Sequence, residues 1–121
     1  MLEDIKHEVV IHGDPPQGGP SIEFSKNVLT FVKEVLTNAR RHSQAEFIRV
    51  DFRWVNGLTL SIEDNGRGFE LDTARNTSGT GLLNLEQRAV ILKGSLNIQS
   101  HPGNGTKISL SIPLPNERKI T

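Results

Sequence analysis

The chain has no cysteine among its 121 residues, so disulfides and thiolate metal sites are excluded. A reducing compartment is permitted. Charge of one sign is also lacking in excess. Lys+Arg and Asp+Glu both count 14, for a formal net charge of zero. Such a chain has no electrostatic case for following a nucleic-acid backbone. No apolar run approaches the ~18 residues that a membrane helix needs, and no membrane contact is expected. The opening residues, MLEDIKHEVV, carry no signal-peptide pattern. Common catalytic templates are missing too. There is no G-x-x-x-x-G-K-[ST] phosphate loop, no complete G-x-G-x-x-G and no H-E-x-x-H zinc helix. No serine stands in a nucleophile-elbow context. His7, His12, His42 and His101 are scattered without metal-ligand spacing. Internal repeats and low-complexity segments are absent.

What remains is the composition of one soluble globular domain, 35% hydrophobic and 23% charged, expected to span residues 1–121. The only methionine is Met1, which is compatible with a domain cut from a longer protein. Residues 7–12 (HEVVIH) read as a short strand, followed by a Gly/Pro loop over 13–20. Ser21 or Ser25 can cap the next helix. There Phe24, Val28, Val32, Val35 and Ala39 recur at steps of three or four, down to about His42. Ile48, Val50, Phe52 and Trp54 then alternate with Arg49, Asp51 and Arg53, a strand pattern. Asn56-Gly57 is a hairpin turn, and Leu58, Leu60 and Ile62 form the inner row of the return strand. Apolar content is sparse over residues 64–81. A helical period returns through Leu82, Leu85, Ala89 and Leu92, with Gly94 as its stop. Two strands follow, marked by Leu96 and Ile98 and by Ile108, Leu110 and Ile112. Pro102-Gly103-Asn104-Gly105 turns between them, and the tail over 115–121 should fray. Two helices with one apolar stripe each, and about five strands, predict an α+β two-layer sandwich. Its helices should pack on one face of a mixed sheet.

Several residues stand out chemically. Glu34 and Asn38 lie one helical turn apart at the border of the apolar stripe. A carboxylate beside an amide suits a hard cation such as Mg²⁺, which keeps several waters and phosphate ligands. A solvated Glu34 hydrogen-bonded to Asn38 explains the pair as well. Asp64 shares the parity of Leu58, Leu60 and Ile62, so it extends a buried row. An inward carboxylate needs a donor partner, and an adenine amino group would be one. Ordinary turn chemistry in Asp64-Asn65-Gly66 is the alternative, though no alternating strand follows Gly66. Thr106 opens the inward row of the last strand in the same way, or is simply a β-branched strand residue. Gly66 and Gly68 would let backbone approach a flat ligand. Gly79-Thr80-Gly81 precedes a helix whose first amides could hold an anion, or are loop residues with Ser78 or Thr80 as cap.

In order and content these segments resemble the catalytic ATPase domain of sensor histidine kinases, within the superfamily that includes DNA gyrase B and mismatch-repair ATPases. Glu34-Val-Leu-Thr-Asn38-Ala-Arg-Arg41-His42 is similar to the family's N box. Asp64-Asn-Gly66-Arg-Gly68-Phe69 resembles the first glycine box and Gly79-Thr-Gly81-Leu82 the second. Gly105-Thr106, a strand and Pro113 resemble the closing motif. The match covers about residues 5 to 114. Ser43-Gln44-Ala45, Glu86-Gln-Arg88-Ala89 and a short lid resemble the nitrate-sensor/desaturase-regulator branch. Leu83-Asn84-Leu85 departs from the commoner Gly-Met, and Lys93-Gly94 from Gly-Gly.

The resemblance implies a set of roles. Asn38 ligates Mg²⁺, and Glu34 positions or polarises a water or the metal, the two together being the catalytic pair. Arg41 and His42 lie near phosphates. Asp64 accepts the adenine N6 hydrogen, with Gly66 and Gly68 shaping the pocket. Residues 69–78 form a lid. Gly79, Gly81 and Leu82 hold phosphates, and Thr106 backs the adenine. It further implies a protein histidine kinase working with ATP and Mg²⁺ on a histidine of a separate dimerisation/phosphoacceptor domain, and indirectly on a response regulator. No such helix is visible here, so the chain should bind ATP without phosphorylating its own histidines. A cytoplasmic location is expected, in a parent that could be membrane-anchored. Three rivals are an anti-sigma-factor serine kinase, a non-catalytic nucleotide sensor and a plain protein-interaction domain.

Overall fold

The computed structural model describes residues 6–40, 44–70 and 81–113. Strand β1 (Lys6–His12) leads through the Gly/Pro loop to helix α1 (Ile22–Asn38). Strands β2 (Phe47–Trp54) and β3 (Leu58–Asp64) follow, then helix α2 (Leu82–Ile91) and strands β4 (Ser95–Ser100) and β5 (Thr106–Ile112). The sheet order is β1-β2-β3-β5-β4. Only the β1–β2 pairing is parallel, so the sheet is mixed.

Local chemistry explains the element ends. The Phe24 amide donates to Ser21 Oγ at 3.0 Å, so Ser21, not Ser25, caps α1. Asn56 and Gly57 both have positive φ, which bends β2 back into β3. The end of α2 differs from the expectation for Gly94. The residue with positive φ is Lys93, at 58°. Gly94 is needed for space instead, because a Cβ there would lie 2.8 Å from Leu110 Cδ1 and 3.1 Å from the Ser111 carbonyl oxygen. The helix end packs directly on β5, and that contact selects the glycine.

Both helices cover one face of the sheet. Val28, Phe31, Val35, Leu36 and Ala39 of the first helix segment meet Leu82, Leu85 and Ala89 of α2 above Ile48, Val50, Leu58, Leu60, Ile62, Ile98, Ile108, Leu110 and Ile112. Phe31 and Leu36 join the buried face, whereas Phe24 and Val32 are only partly buried. Fully buried side chains of this size contribute roughly 1.5–3 kcal/mol each. The bond from Arg88 Nη1 to Asn27 Oδ1, 2.9 Å long, also links the helices. A single bond of that kind contributes only about 0.5–1.5 kcal/mol, so the core and not this tie fixes the layer.

The other face is polar. Arg49 reaches Glu8 through Nη1 at 3.1 Å and Asp51 through Nε at 2.8 Å, while His12 Nε2 lies 3.1 Å from Asp51 Oδ1. The network stitches edge strand β1 to β2. The Arg49 hydrogen bond is the chief reason that Asp51 titrates below the usual carboxylate range. No described helix is long and apolar enough to cross a membrane.

Candidate functional site

Three strand ends and two glycine turns meet at one end of the sheet. Register explains the meeting. Asp64, the last residue of β3, is opposite Ile48 on one side and Thr106, the first residue of β5, on the other; Thr106 in turn is opposite Ser100, the last residue of β4. All four share the helix-facing parity. Where helix cover ends, the inner row changes from Leu60 and Ile62 to Asp64, and from Leu110 and Ile108 to Thr106. A polar floor is thus set into the margin of an apolar core.

Asp64 is half-buried. Burial pushes its pKa up, while hydrogen bonds from the Gly66 and Thr106 amides pull the other way. The Gly66 amide donates to Asp64 Oδ1 at 2.8 Å, which fixes the carboxylate in an Asx-type turn. Turn chemistry is therefore real here. It does not oppose a ligand role, because a carboxylate has about four lone-pair sites and two amides do not exhaust them.

Glycines hold the surrounding loops at distances that exclude a side chain. Gly68 has φ +66°, and a Cβ there would fall 2.1 Å from the His101 carbonyl oxygen. Gly105 has φ +74°, and its Cβ would fall 2.2 Å from the Asp64 carbonyl oxygen. Asn65 Oδ1 accepts from the amides of Glu46 and Phe47, both at 2.9 Å, and so ties the turn after β3 to the entry of β2. Neither this clamp nor Ser100 was singled out from the sequence. Ser100 did leave a signal, since it continues the parity of Leu96 and Ile98.

The other expected residues lie on the two helices. Glu34 and Asn38 are both half-buried on α1. Gly81, at the start of α2, sits against the Asn38 amide; a Cβ on Gly81 would lie 2.4 Å from Nδ2 and 2.8 Å from Oδ1. The structure thus brings Asn38 and Gly81 together, 43 residues apart in sequence. Gly81 has φ +81° and occupies the cap position of α2, where it brings no capping side chain of its own. The alternative caps Ser78 and Thr80 lie outside the described residues. The dipole of a helix directs partial positive charge at the space before its start, which suits an anion. Leu82 is buried in the core, so its side chain does not face a phosphate.

Arg41, His42 and Gly79 lie outside the described residues, as do positions 71–78 of the expected lid and the expected tail at 115–121. Among the described residues no group of three or more His, Cys, Asp or Glu side chains could hold a metal by itself. Asn38 with Glu34 provides at most a partial oxygen shell. That fits a cation which retains water and substrate phosphates, as Mg²⁺ does, and not one that needs a full protein cage.

A two-layer α+β domain with an inward acid at the sheet end suits a nucleotide, and comparison with known proteins gives the class of an ATP-binding domain. Residues 25–116 match the family described as histidine kinase-, DNA gyrase B-, and HSP90-like ATPase. The chain belongs to that family. It is 37% identical over 87 residues to the signal transduction histidine-protein kinase/phosphatase DegS of Brevibacillus brevis, covering 71% of this chain and 22% of that protein. It is 31% identical over 119 residues to DegS of Bacillus subtilis, covering 93% and 31%. The chain therefore spans about a fifth to a third of these relatives. Among solved structures, the histidine kinase domain of the blue-light activated kinase of Erythrobacter litoralis EL346 superposes with a TM-score of 0.70 at 28% identity, over 93% of this chain and 52% of that one. The ATP-binding domain of PrrB from Mycobacterium tuberculosis shares the fold, with a TM-score of 0.67 at 19% identity, over 94% and 83%.

Proposed function

We propose that this domain holds Mg-ATP and presents its γ-phosphoryl group to a histidine on a separate helical dimerisation domain, for onward transfer to a response regulator. The observation that carries the reading is Asp64: a half-buried carboxylate at the margin of the core, oriented by its own turn and walled by glycines. A carboxylate is an acceptor only, so the ligand edge that meets it must be a donor. The adenine amino group is one, with Gly66 and Gly68 shaping the pocket and Thr106 backing the ring.

The phosphates then run toward the start of α2, where Gly79, Gly81 and Leu82 receive them, with Arg41 and His42 near them. Asn38 and Glu34 stand beside that path, in place to hold Mg²⁺ and to position a water on it. When bound, Mg²⁺ neutralises charge on the phosphate oxygens. Phosphoryl transfer needs little covalent help from the protein, so positioning and charge neutralisation suffice as catalysis. The kinase relatives support this reading. A cytoplasmic setting follows from the supply of ATP.

The test is transfer of label from γ-labelled ATP to a helical domain carrying the acceptor histidine, followed by acid treatment. Acid-labile, base-stable label on the helical domain is expected. Acid-stable label on serine would assign the domain to the anti-sigma-factor class, and ATP binding without transfer would make it a nucleotide sensor.

A further inference from the structure

Ser100 lies at the end of β4, is only 4% exposed, and is shared among three groups. Its Oγ accepts from the Phe69 amide at 2.9 Å, sits 2.8 Å from Thr106 Oγ1, and is 3.2 Å from the Gly105 carbonyl oxygen. A serine hydroxyl has one proton to give. Phe69 can only donate and the Gly105 carbonyl can only accept, so the proton goes either to Gly105 or to Thr106. Hydroxyl–oxygen bonds fall at about 2.5–3.0 Å, most often near 2.7–2.8 Å. The 2.8 Å contact meets that standard and the 3.2 Å contact does not.

The choice has a consequence for whatever meets Asp64. If Ser100 donates to Thr106, the Thr106 proton is not spent on Ser100, and Thr106 can donate to a ligand. If Ser100 donates to Gly105 instead, Thr106 must donate to Ser100 and offers a ligand only lone pairs. Asp64, its register neighbour, is an acceptor in either case. An acceptor beside a donor matches the adenine edge, where an amino group lies next to an unprotonated ring nitrogen. An acceptor beside an acceptor no longer reads the adenine ring nitrogen and instead matches two adjacent donors, as guanine presents at its protonated ring nitrogen and 2-amino group.

We propose that Ser100 is a positioning residue for base selectivity: by donating to Thr106 it holds that hydroxyl as a donor, and with Asp64 this makes the site read adenine against 6-oxopurines. The inference rests on the Asp64 reading above. It gives an acceptor to an otherwise ambiguous hydroxyl bond and a role to a buried serine beyond anchoring Phe69.

The experiment is calorimetric titration of the chain with ATP, ITP and the triphosphate of unsubstituted purine riboside, all with Mg²⁺, for wild type, Ser100→Ala and Ser100→Thr. ITP reverses the donor and acceptor at the two reading positions without adding a group. Purine riboside triphosphate keeps the ring nitrogen and loses only the amino group. Wild type should prefer ATP over ITP, and Ser100→Ala should reduce that preference by roughly three- to tenfold, the worth of one oriented hydrogen bond. Ser100→Thr, which keeps the hydroxyl, should restore it. A serine that merely supports the fold would lower affinity for all three nucleotides alike, and an unchanged ATP/ITP ratio in Ser100→Ala would overturn the proposal. Equal wild-type binding of ATP and the purine riboside analogue would instead overturn the Asp64 reading. If Ser100→Thr is too crowded to fold, the ratio in Ser100→Ala alone decides, with folding checked by circular dichroism.

Discussion

Gly81 and Gly105 offer a matched pair of substitutions that separates a movable neighbour from an immovable one. Both have left-handed backbones, at φ +81° and +74°, so alanine at either position costs a similar conformational penalty of roughly 1–2 kcal/mol. The clashes differ. At Gly105 the new Cβ would fall 2.2 Å from the Asp64 carbonyl oxygen, a backbone atom held in the β3–β5 ladder. It cannot retreat without breaking the strand pair, so the total loss should exceed about 3 kcal/mol, at the severe end for point substitutions. At Gly81 the Cβ would fall 2.4 Å from Asn38 Nδ2, the far end of a rotatable side chain. Asn38 can swing aside, and the loss should stay near the conformational term alone. The displaced Asn38 is the proposed Mg²⁺ ligand, so Gly81→Ala should pass urea denaturation with a loss of about 1–2 kcal/mol and yet lose the Mg²⁺ dependence of ATP binding. Gly105→Ala should fail the denaturation test outright. Equal destabilisation by the two alanines would refute the reasoning, and an intact Mg²⁺ dependence in Gly81→Ala would remove Asn38 from the metal.

Asp64 should make the unliganded domain less stable as pH rises. Its folded-state pKa is raised by burial, so the folded chain binds the proton more tightly than the unfolded chain does. Stability therefore falls with rising pH between the ordinary aspartate value of about 4 and the raised folded value, and stays lower above it. Asp64→Asn should melt higher than wild type at neutral pH, with the gap closing below about pH 4, where both folded and unfolded wild type are protonated. Thermal melts across that range read it directly, and a variant that melts lower at pH 7 would contradict it. Asn65→Ala deletes an oxygen that accepts two amides, and at this exposed site it should cost about 1–2 kcal/mol by urea denaturation. A loss of a few tenths would show that water replaces the clamp.

The strands were legible because period-two alternation survives wherever one face is buried. Ile48-Val50 and Leu58-Leu60-Ile62 state the inner face without ambiguity, and the same parity places Asp64 and Thr106 inward. The first helix was less legible. A five-residue stripe was expected, but Phe31 and Leu36 are buried because α1 lies in the angle between the sheet and α2 and buries a wider arc than one face supplies. Strand order was not legible at all. That β1 runs parallel to β2 at the edge is set by a crossover through α1, which no local pattern encodes. The roles of Lys93 and Gly94 exchange for a similar reason: the turn chemistry was visible, the approach of β5 was not. Within the candidate site, box-like segments announced Asp64, Gly68 and Gly81. Ser100 and the Asn65 clamp become evident only when β4, β5 and the turn after β3 are assembled.

The central claim is that Asp64 meets the amino edge of adenine. Calorimetric titration of Mg-ATP into wild type and Asp64→Asn at neutral pH tests it most directly, since asparagine keeps the shape and an oxygen for the Gly66 amide while removing the charge. Losing a hydrogen bond to a charged acceptor is worth about 1.5–3 kcal/mol, so affinity should fall by roughly 10- to 150-fold in a folded variant. Undiminished affinity in that variant would contradict the account.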